Sequence, residues 1–488
     1  MITPDFPLWS RSFDSHCRRL RQATGQTLHQ LETLFGSWIA PFLLSQRDEG
    51  PHSRQRVWPL RLVFWTFLWQ VAQAGASCRE AIRQAQCLCR LRGQNVPAND
   101  DGPYCVARAK LPLDCLEQIQ RAVINGAEKA IALKDLWCGL RVKVADASTL
   151  TLEDTPKNQA AYPQPRSQKP GCGFPIMRLI GLFSLATGLF TAWATGTWSS
   201  HELVLLQCLW DSLAEGDVLL GDRGFGTWAV LAQCLARQVE GVFRLRGQRR
   251  SDWRRGKHLS KNERLVQWQK PRNRPDYLEE KAWELLPQIL TLRLVRVIIT
   301  EPGYRTRKVI LVTTLLDSKK YPPAALAQLY RRRWDMELSL RHLKTTLQME
   351  HLSCKTPENV QRELHMHLLT HNLVRRLMFE AARKANVPLS RISFAGALSA
   401  ARRTGEAMLQ ARNQTQRNQL IEELYRVLAK DLVPERPGRW EPRALKRRPK
   451  PYPRLTCHRS RFREISHRNR YWANGPSKRK GPKYVRPN

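Results

Sequence analysis

The sequence predicts an α/β domain that is interrupted by a β-rich insertion and flanked by helical regions. Three observations carry this reading. Apolar residues recur at helical spacing in Thr27–Leu44 and again in Leu60–Ala74. From Leu140 the texture changes to β-branched runs in the order strand, strand, strand, helix, strand, which is a mixed α/β order. Pro322 and Pro323 then open a long helix, Ala324–Leu347, since proline suits the first helical turn.

Taken in order, residues 1–135 read as helical, and Trp58, Phe64, Trp65, Phe67 and Trp69 mark a helix buried within that region. Strands follow at Leu140–Asp146, Ile176–Leu185 and Leu189–Thr195, then a helix at His201–Leu213 and a strand at Asp217–Asp222. The uncharged run Leu179–Ser200 has the length of a membrane helix. However, it contains Gly181, Gly188 and Gly196, and Ala186-Thr187-Gly188 divides two β-rich runs, so a buried hairpin is expected instead. A helix at Thr227–Arg237 and a strand at Gly241–Leu245 come next. The basic, Trp-containing segment Arg249–Pro275 and the strands Leu290–Thr300 and Lys308–Leu315 read as an inserted β subdomain. More helices run to about residue 433, and Pro434–Asn488, rich in Pro, Arg and Lys, is expected to be a mostly disordered basic tail. The domain expectation is therefore 1–135 helical, 136–350 α/β with the insertion at about 240–318, 351–433 helical, and 434–488 tail.

Charge narrows the class of partner. In 488 residues, 81 Lys and Arg against 42 Asp and Glu leave +39 at pH 7. This calls for a polyanion, and neutralisation of phosphates makes nucleic acid the leading candidate. An acidic small substrate needs far less charge. A lipid surface is disfavoured because no basic amphipathic helix is combined with a lipidation signal. Met1–Asp14 lacks the basic stretch and apolar core of a secretory signal, so a cytoplasmic protein is expected. The twelve cysteines include Cys87 and Cys89 but no Cys-x-x-Cys pair, and they read as reduced, mostly buried thiols.

Three carboxylates stand out. Asp146 and Asp222 end the runs Leu140–Asp146 and Val218–Asp222, and both are expected to emerge at strand C-termini, where ligands of open α/β sheets bind and where two acids can share a metal. A turn-forming or helix-capping role is the competing reading for each. The third candidate is Glu337: along the helix Ala324–Leu347, at about 100° per residue, Tyr330, Arg333, Glu337 and Lys344 fall within roughly 60° of one another. A carboxylate with cations on one face suits a metal beside phosphates; a salt-bridged solvated face is the alternative. Asp335 falls on the opposite side and reads as a solvated surface acid.

The spacing Tyr330-x2-Arg333-x3-Glu337-x6-Lys344 resembles the Tyr-Arg-Glu-Lys signature of bacterial insertion-sequence transposases of the DDE superfamily. Further segments share the resemblance over roughly residues 60–400. Asp154–Pro165 and Gln168–Pro175 resemble the stretch after that group's first catalytic Asp, and Asp222-Arg-Gly224-Phe225 its second motif. Val266-x-Trp268-x-Lys270-Pro271 resembles part of its β insertion, and Tyr104-Cys105-x-Ala107-Arg108 an N-terminal motif. The resemblance implies a ribonuclease H-like catalytic domain in which Asp146, Asp222 and Glu337 hold two Mg²⁺ ions, with Mn²⁺ as a substitute. It implies cut-and-paste transposition: cleavage of double-stranded DNA at terminal inverted repeats and strand transfer into target DNA, by a homodimer in a synaptic complex. Residues 1–135 are then the DNA-binding domain, and the protein is nucleoid-associated and not a membrane protein. Tyr330, Arg333 and Lys344 contact DNA near the cleaved end. Trp334, close to the same face, is a candidate for stacking on a flipped base, while Trp268 is left between such a role and a core position.

Some residues are set aside. His365, His367 and His371 with Glu363 lack a neighbouring zinc-ligand motif and are expected to be structural; the related family segment has Tyr at the place of His371. Asp154 is passed over as first ligand because Asp146 ends the better strand. An inactive, transposase-derived DNA-binding regulator is the alternative function. A repair nuclease of the same fold is disfavoured by the N-terminal helices and the insertion.

Overall fold

The computed structural model describes residues 30–44, 57–246, 253, 256–298 and 308–434, together with 455, 457, 458 and 461. The start of the expected helix Thr27–Leu44, part of the basic segment after Arg249 and nearly all of the tail after Pro434 lie outside the described residues.

The N-terminal region is helical as expected: α1 (Gln30–Phe35), α2 (Leu60–Ala72), α3 (Cys78–Leu91), α4 (Gly102–Ala109) and α5 (Leu113–Glu128). In α2, Phe64, Trp65 and Phe67 are buried, which accounts for the aromatic density there. Ser77 caps α3 through the Glu80 amide, and Glu80 returns the bond to the Ser77 amide, forming a capping box.

The α/β region is built on β1 (Val142–Leu152), β2 (Ile176–Ser184), β3 (Phe190–Thr197), β4 (Val218–Gly221) and β5 (Glu240–Arg244). After β1 comes a short helix, α6 (Pro156–Ala161); α7 (Glu202–Gln207) lies between β3 and β4, and α8 (Trp228–Ala236) between β4 and β5. The run Leu179–Ser200 forms the β2–β3 hairpin, turning at Gly188 with φ 76°. Among the described residues no helix is long and apolar enough to cross a membrane. The expected helix His201–Leu213 is shorter: α7 stops at Gln207, and only a 3-10 turn at Trp210–Ser212 follows.

The insertion comprises β6 (Lys257–Ser260), β7 (Glu263–Gln269), α9 (Glu280–Glu284), β8 (Ile289–Ile298) and β9 (Lys308–Thr313). It is not a separate sheet. The strand order is β3-β2-β1-β4-β5-β9-β8-β7-β6, with β10 (His351–Leu352) pairing the end of β1. β5 runs parallel to β4 and pairs antiparallel with β9, so the central strands and the strands after Arg244 share one sheet.

The expected long helix Ala324–Leu347 is broken into α10 (Pro323–Arg332), α11 (Trp334–Arg341) and a π turn at His342–Thr346. Beyond it lie α12 (Pro357–Ala385), α13 (Phe394–Gln410) and α14 (Gln414–Lys430). Helices cover both faces of the sheet. Val142, Val144, Leu150, Val218, Leu220 and Val242 join one core with α10–α14 and the N-terminal helices. Ala145, Ile180, Leu182 and Leu219 join the other with α7, α8 and α9. This alternation along β1 and β4 follows from the period of two of a strand buried on both faces.

Candidate active site

Asp146 does not end its strand. β1 continues to Leu152 because Ala147–Thr151 keep pairing with β2, down to Thr151 opposite Ile176. What ends near Asp146 is the pairing with β4: the last registered pair is Val144 opposite Leu220, two residues before Asp146 and Asp222. Asp146 follows Val142 and Val144, and Asp222 follows Val218 and Leu220, so alternation turns both carboxylates toward the face covered by α10–α14. They stand side by side where β4 stops.

The third carboxylate arrives on α11. Gly181 of β2 pairs with Asp146, and a Cβ at Gly181 would lie 2.7 Å from the Phe190 ring and 3.6 Å from Met336 Cε. A bare backbone there lets Met336, which is completely buried, rest on the sheet and bring the adjacent Glu337 to the carboxylate edge. Asp222 is oriented locally. Its Oδ1 accepts the Gly224 amide at 2.6 Å, and a Cβ at Gly224 would come within 2.9 Å of that oxygen, which is why glycine suits Asp222-Arg-Gly224.

Arg333 joins the acids. Its guanidinium donates to Glu337 Oε1 at 2.7 Å, approaches Asp146 Oδ2 at 3.9 Å, and lies 5.9 Å from each of the Tyr330 and Trp334 rings. Burial raises the Asp146 carboxyl to about 6, and neighbouring Glu337 and Asp222 add to the rise, while the Ala147 amide and Arg333 oppose it. The acids thus sense one another, with a single guanidinium set against two of them. Tyr330 is largely buried, and burial raises its phenol, with Arg333 and Arg244 pulling the other way.

Lys344 falls on the π turn, a kind of helix irregularity that recurs at functional sites. It lies 4.0 Å from Glu350 and shares with Asp146, Glu337, Arg341 and Glu350 a cavity of about 340 Å³. The four signature residues therefore converge although the helix carrying them is broken. Glu350 had no signal in the wheel, because the chain leaves the helix at Gln348 with φ 56°.

Other expectations are corrected. Trp334 is 40% exposed, whereas Trp268 is only 9% exposed, packs into the core with α8 and accepts the Trp228 indole N–H on its carbonyl at 3.2 Å; of the two readings left open for it, the structure gives the core position. Asp335 is not a solvated acid: it is half-buried beside Arg332, at 3.5 Å, and burial raises its carboxyl. The cysteines are not mostly buried, since Cys87, Cys105, Cys138 and Cys208 are exposed. His365 packs on Trp193, His371 on Phe190 and Phe394, and Glu363 accepts from Ser353 and Cys354, so these polar groups belong to the α12 core. Asp154 is exposed and accepts from Gln159.

Three carboxylates are hard oxygen donors, suited to Mg²⁺ and poorly suited to soft metals. Among the described residues no three His, Cys, Asp or Glu groups stand close enough to form a finished cage. The donor chemistry fits a hard divalent ion, and Arg333 lies beside two of the three carboxylates.

Comparison with known proteins agrees with this chemistry. Residues 137–373 match the family model described as Transposase DDE domain. The chain is 26% identical over 432 residues to transposase InsG for insertion sequence element IS4 of Escherichia coli (strain K12), covering 86% of this chain and 93% of that protein. A cryo-EM structure of the piggyBac transposase synaptic complex with hairpin DNA is similar at a TM-score of 0.39 and 9% identity, over 84% of this chain and 86% of that one. The helix-covered carboxylate edge thus lies within a transposase DDE domain. The family-model match and the relative along most of the chain support a DDE-superfamily insertion-sequence transposase, an enzyme of DNA cleavage and strand transfer.

Proposed function

We propose that the chain catalyses cut-and-paste transposition through a ribonuclease H-like core in which Asp146, Asp222 and Glu337 hold two Mg²⁺ ions, with Mn²⁺ as a substitute. One observation supports this above the others: Asp146 and Asp222 lie side by side on one face of adjacent strands, with Glu337 facing them from α11. The order β3-β2-β1-β4-β5, with the first three strands antiparallel and the next two parallel, is the frame expected of that core. Divalent ions, when bound, supply activation of the attacking oxygen and stabilisation of the leaving oxygen in an in-line displacement.

The chain's own groups then have distinct tasks. Arg333 neutralises Glu337 and Asp146 and presents a planar fork that accepts a phosphate as readily as a carboxylate, so it is suited to trade one for the other when DNA enters. Lys344, beside the same cavity, contributes a point charge to the backbone near the cut. Trp334, exposed next to Arg333, offers a ring for an unstacked base. No covalent protein nucleophile is needed, because water and a DNA 3′-hydroxyl serve in turn. The helices before residue 135 bind the terminal inverted repeats, two chains pair two ends, and the reaction places the protein with chromosomal DNA in the cytoplasm. The inactive-regulator alternative is not favoured, since all three carboxylates and the signature cations are present.

The test uses the full chain, Mg²⁺ and a duplex carrying the terminal repeat of its own element. Asp222→Asn should lose cleavage by at least about 10³-fold while still shifting the duplex in a gel. Cleavage that survives in that variant removes Asp222 from the machinery.

A further inference from the structure

A second chemical cluster lies away from the carboxylates. Cys78 is the first residue of α3, just after the Ser77 cap, and its sulfur is surrounded by donors. Arg108 Nη1 donates to Cys78 Sγ at 3.5 Å, Gln70 Nε2 at 3.6 Å and the Cys105 thiol at 4.0 Å. Arg108 is held in place: its guanidinium stacks 3.8 Å from the Phe67 ring, and its Nη2 donates to Cys354 Sγ at 3.3 Å. A sulfur that accepts from three donors at the start of a helix is in surroundings made for a thiolate. In agreement, the Cys105 hydrogen bond, with Arg108 and Gln70, lowers the Cys78 thiol to about 6 against the opposing effect of burial. Burial and Glu363 push Cys354 the other way, and the adjacent Cys78 raises Cys105. The three thiols are therefore unequal: one nucleophile, one proton-bearing neighbour in contact with it, and one bystander.

We propose that Cys78 is a modification site for hydroperoxides and that Cys105 resolves the product, closing a disulfide between the start of α3 and α4. The Cys78 thiolate attacks the hydroxyl oxygen of the peroxide; the S–O bond forms, the O–O bond breaks, and hydroxide (or alkoxide from an alkyl hydroperoxide) leaves and takes up a proton from solvent to become water (or alcohol). Sulfur gives up two electrons and the peroxide is reduced. The Cys105 sulfur then attacks the sulfenic sulfur; the S–S bond forms, the S–O bond breaks, and water leaves with the Cys105 proton. Access exists, since Cys105 is exposed and Cys78 partly so, and both line a cleft of about 1040 Å³ that also receives Arg108, Cys354 and Lys344. This site stands independently of the metal-site assignment.

The experiment treats the full chain at pH 7 with stoichiometric hydrogen peroxide and maps the products by peptide mass spectrometry. A Cys78–Cys105 cross-link is expected in the parent protein and in Cys354→Ser. In Cys105→Ser, dimedone should label Cys78 at least about tenfold over the exposed Cys87, Cys138 and Cys208. Equal labelling of those thiols overturns the site. A Cys78 adduct in the parent protein without the cross-link overturns the resolving role of Cys105. Alkylation of Cys78 should reach half its limiting rate near pH 6, and a midpoint in the ordinary thiol range, about 8.5, overturns the thiolate.

Discussion

The two halves of the sheet treat a buried carboxylate in opposite ways. In the insertion, Glu263 of β7 accepts from Arg293 of β8, from Ser318 at 3.0 Å and from Ser260 at 2.9 Å. Burial would raise its carboxyl, but Arg293 and the hydroxyls hold it below the usual range. Arg293 is completely buried and also donates to the carbonyls of Leu315, Asp317 and Tyr321, at 3.3, 3.3 and 2.8 Å. At the β1–β4 edge, Asp146 has one backbone amide and a distant guanidinium, faces two further acids, and is pushed upward. A carboxylate that only holds the fold together is saturated with donors; one kept for a cation is left short of them. The contrast agrees with the role proposed for Asp146.

The largest effect should come from breaking the saturated pair. Arg293→Ala leaves Glu263 buried without its cation and should cost about 3–5 kcal/mol in urea unfolding. A loss no larger than that of an exposed pair would erase the distinction. His367 of α12 is a second undersupplied group: its Nδ1 lacks a partner, and burial lowers the imidazole to about 4. Its neutral form favours the fold above the unfolded pKa near 6.5, and that contribution is lost as pH falls toward 4, by up to about 3 kcal/mol. Stability measured from pH 7 to 4 should therefore fall less steeply in His367→Gln; an unchanged slope would assign the acid sensitivity elsewhere.

The smallest effect has the opposite sign. Asp146 is raised from 3.8 to about 6, so its contribution favours the fold below about pH 4 and is lost as pH rises through 6. In chelator at pH 7.5, Asp146→Asn should stabilise the chain by about 1–3 kcal/mol, with little change at pH 4. Thermal melts at both pH values check this. Destabilisation at both would make Asp146 a structural acid like Glu263.

Much of this contrast was legible in the sequence, and for identifiable reasons. Helical spacing, β-branched runs and glycine-divided hairpins report local periodicity, so the helices Leu60–Ala72 and Trp228–Ala236 and the β2–β3 hairpin fall within a few residues of where the sequence put them. The wheel brought Tyr330, Arg333, Glu337 and Lys344 to one face, and they do converge, because Arg333 bridges the break between α10 and α11. What was lost depends on partners distant in the chain. The continuation of β1 past Asp146 is decided by pairing with β2, and the burial of Trp268 by α8, some 40 residues away. Asp335 was read as solvated because a wheel does not show that Arg332 and the neighbouring helices close over it. The proposed thiolate at Cys78 needs Gln70 of α2 and Cys105 and Arg108 of α4, which no spacing announces.

The fusion of the insertion to β5 has one more consequence. Without β9, the strand Glu240–Arg244 would end the sheet, leaving the backbone polar groups of the buried Val242 and Phe243 open on one side. Such an apolar rim is a template for pairing with any other chain. With β6–β9 in place, the last strand is instead the four-residue, wholly exposed Lys257–Ser260, short and carrying Lys257 and His258. A minimised core lacking residues 245–313 would therefore trade a quiet rim for an adhesive one. Its first failure in solution would be self-association, even with every carboxylate in position.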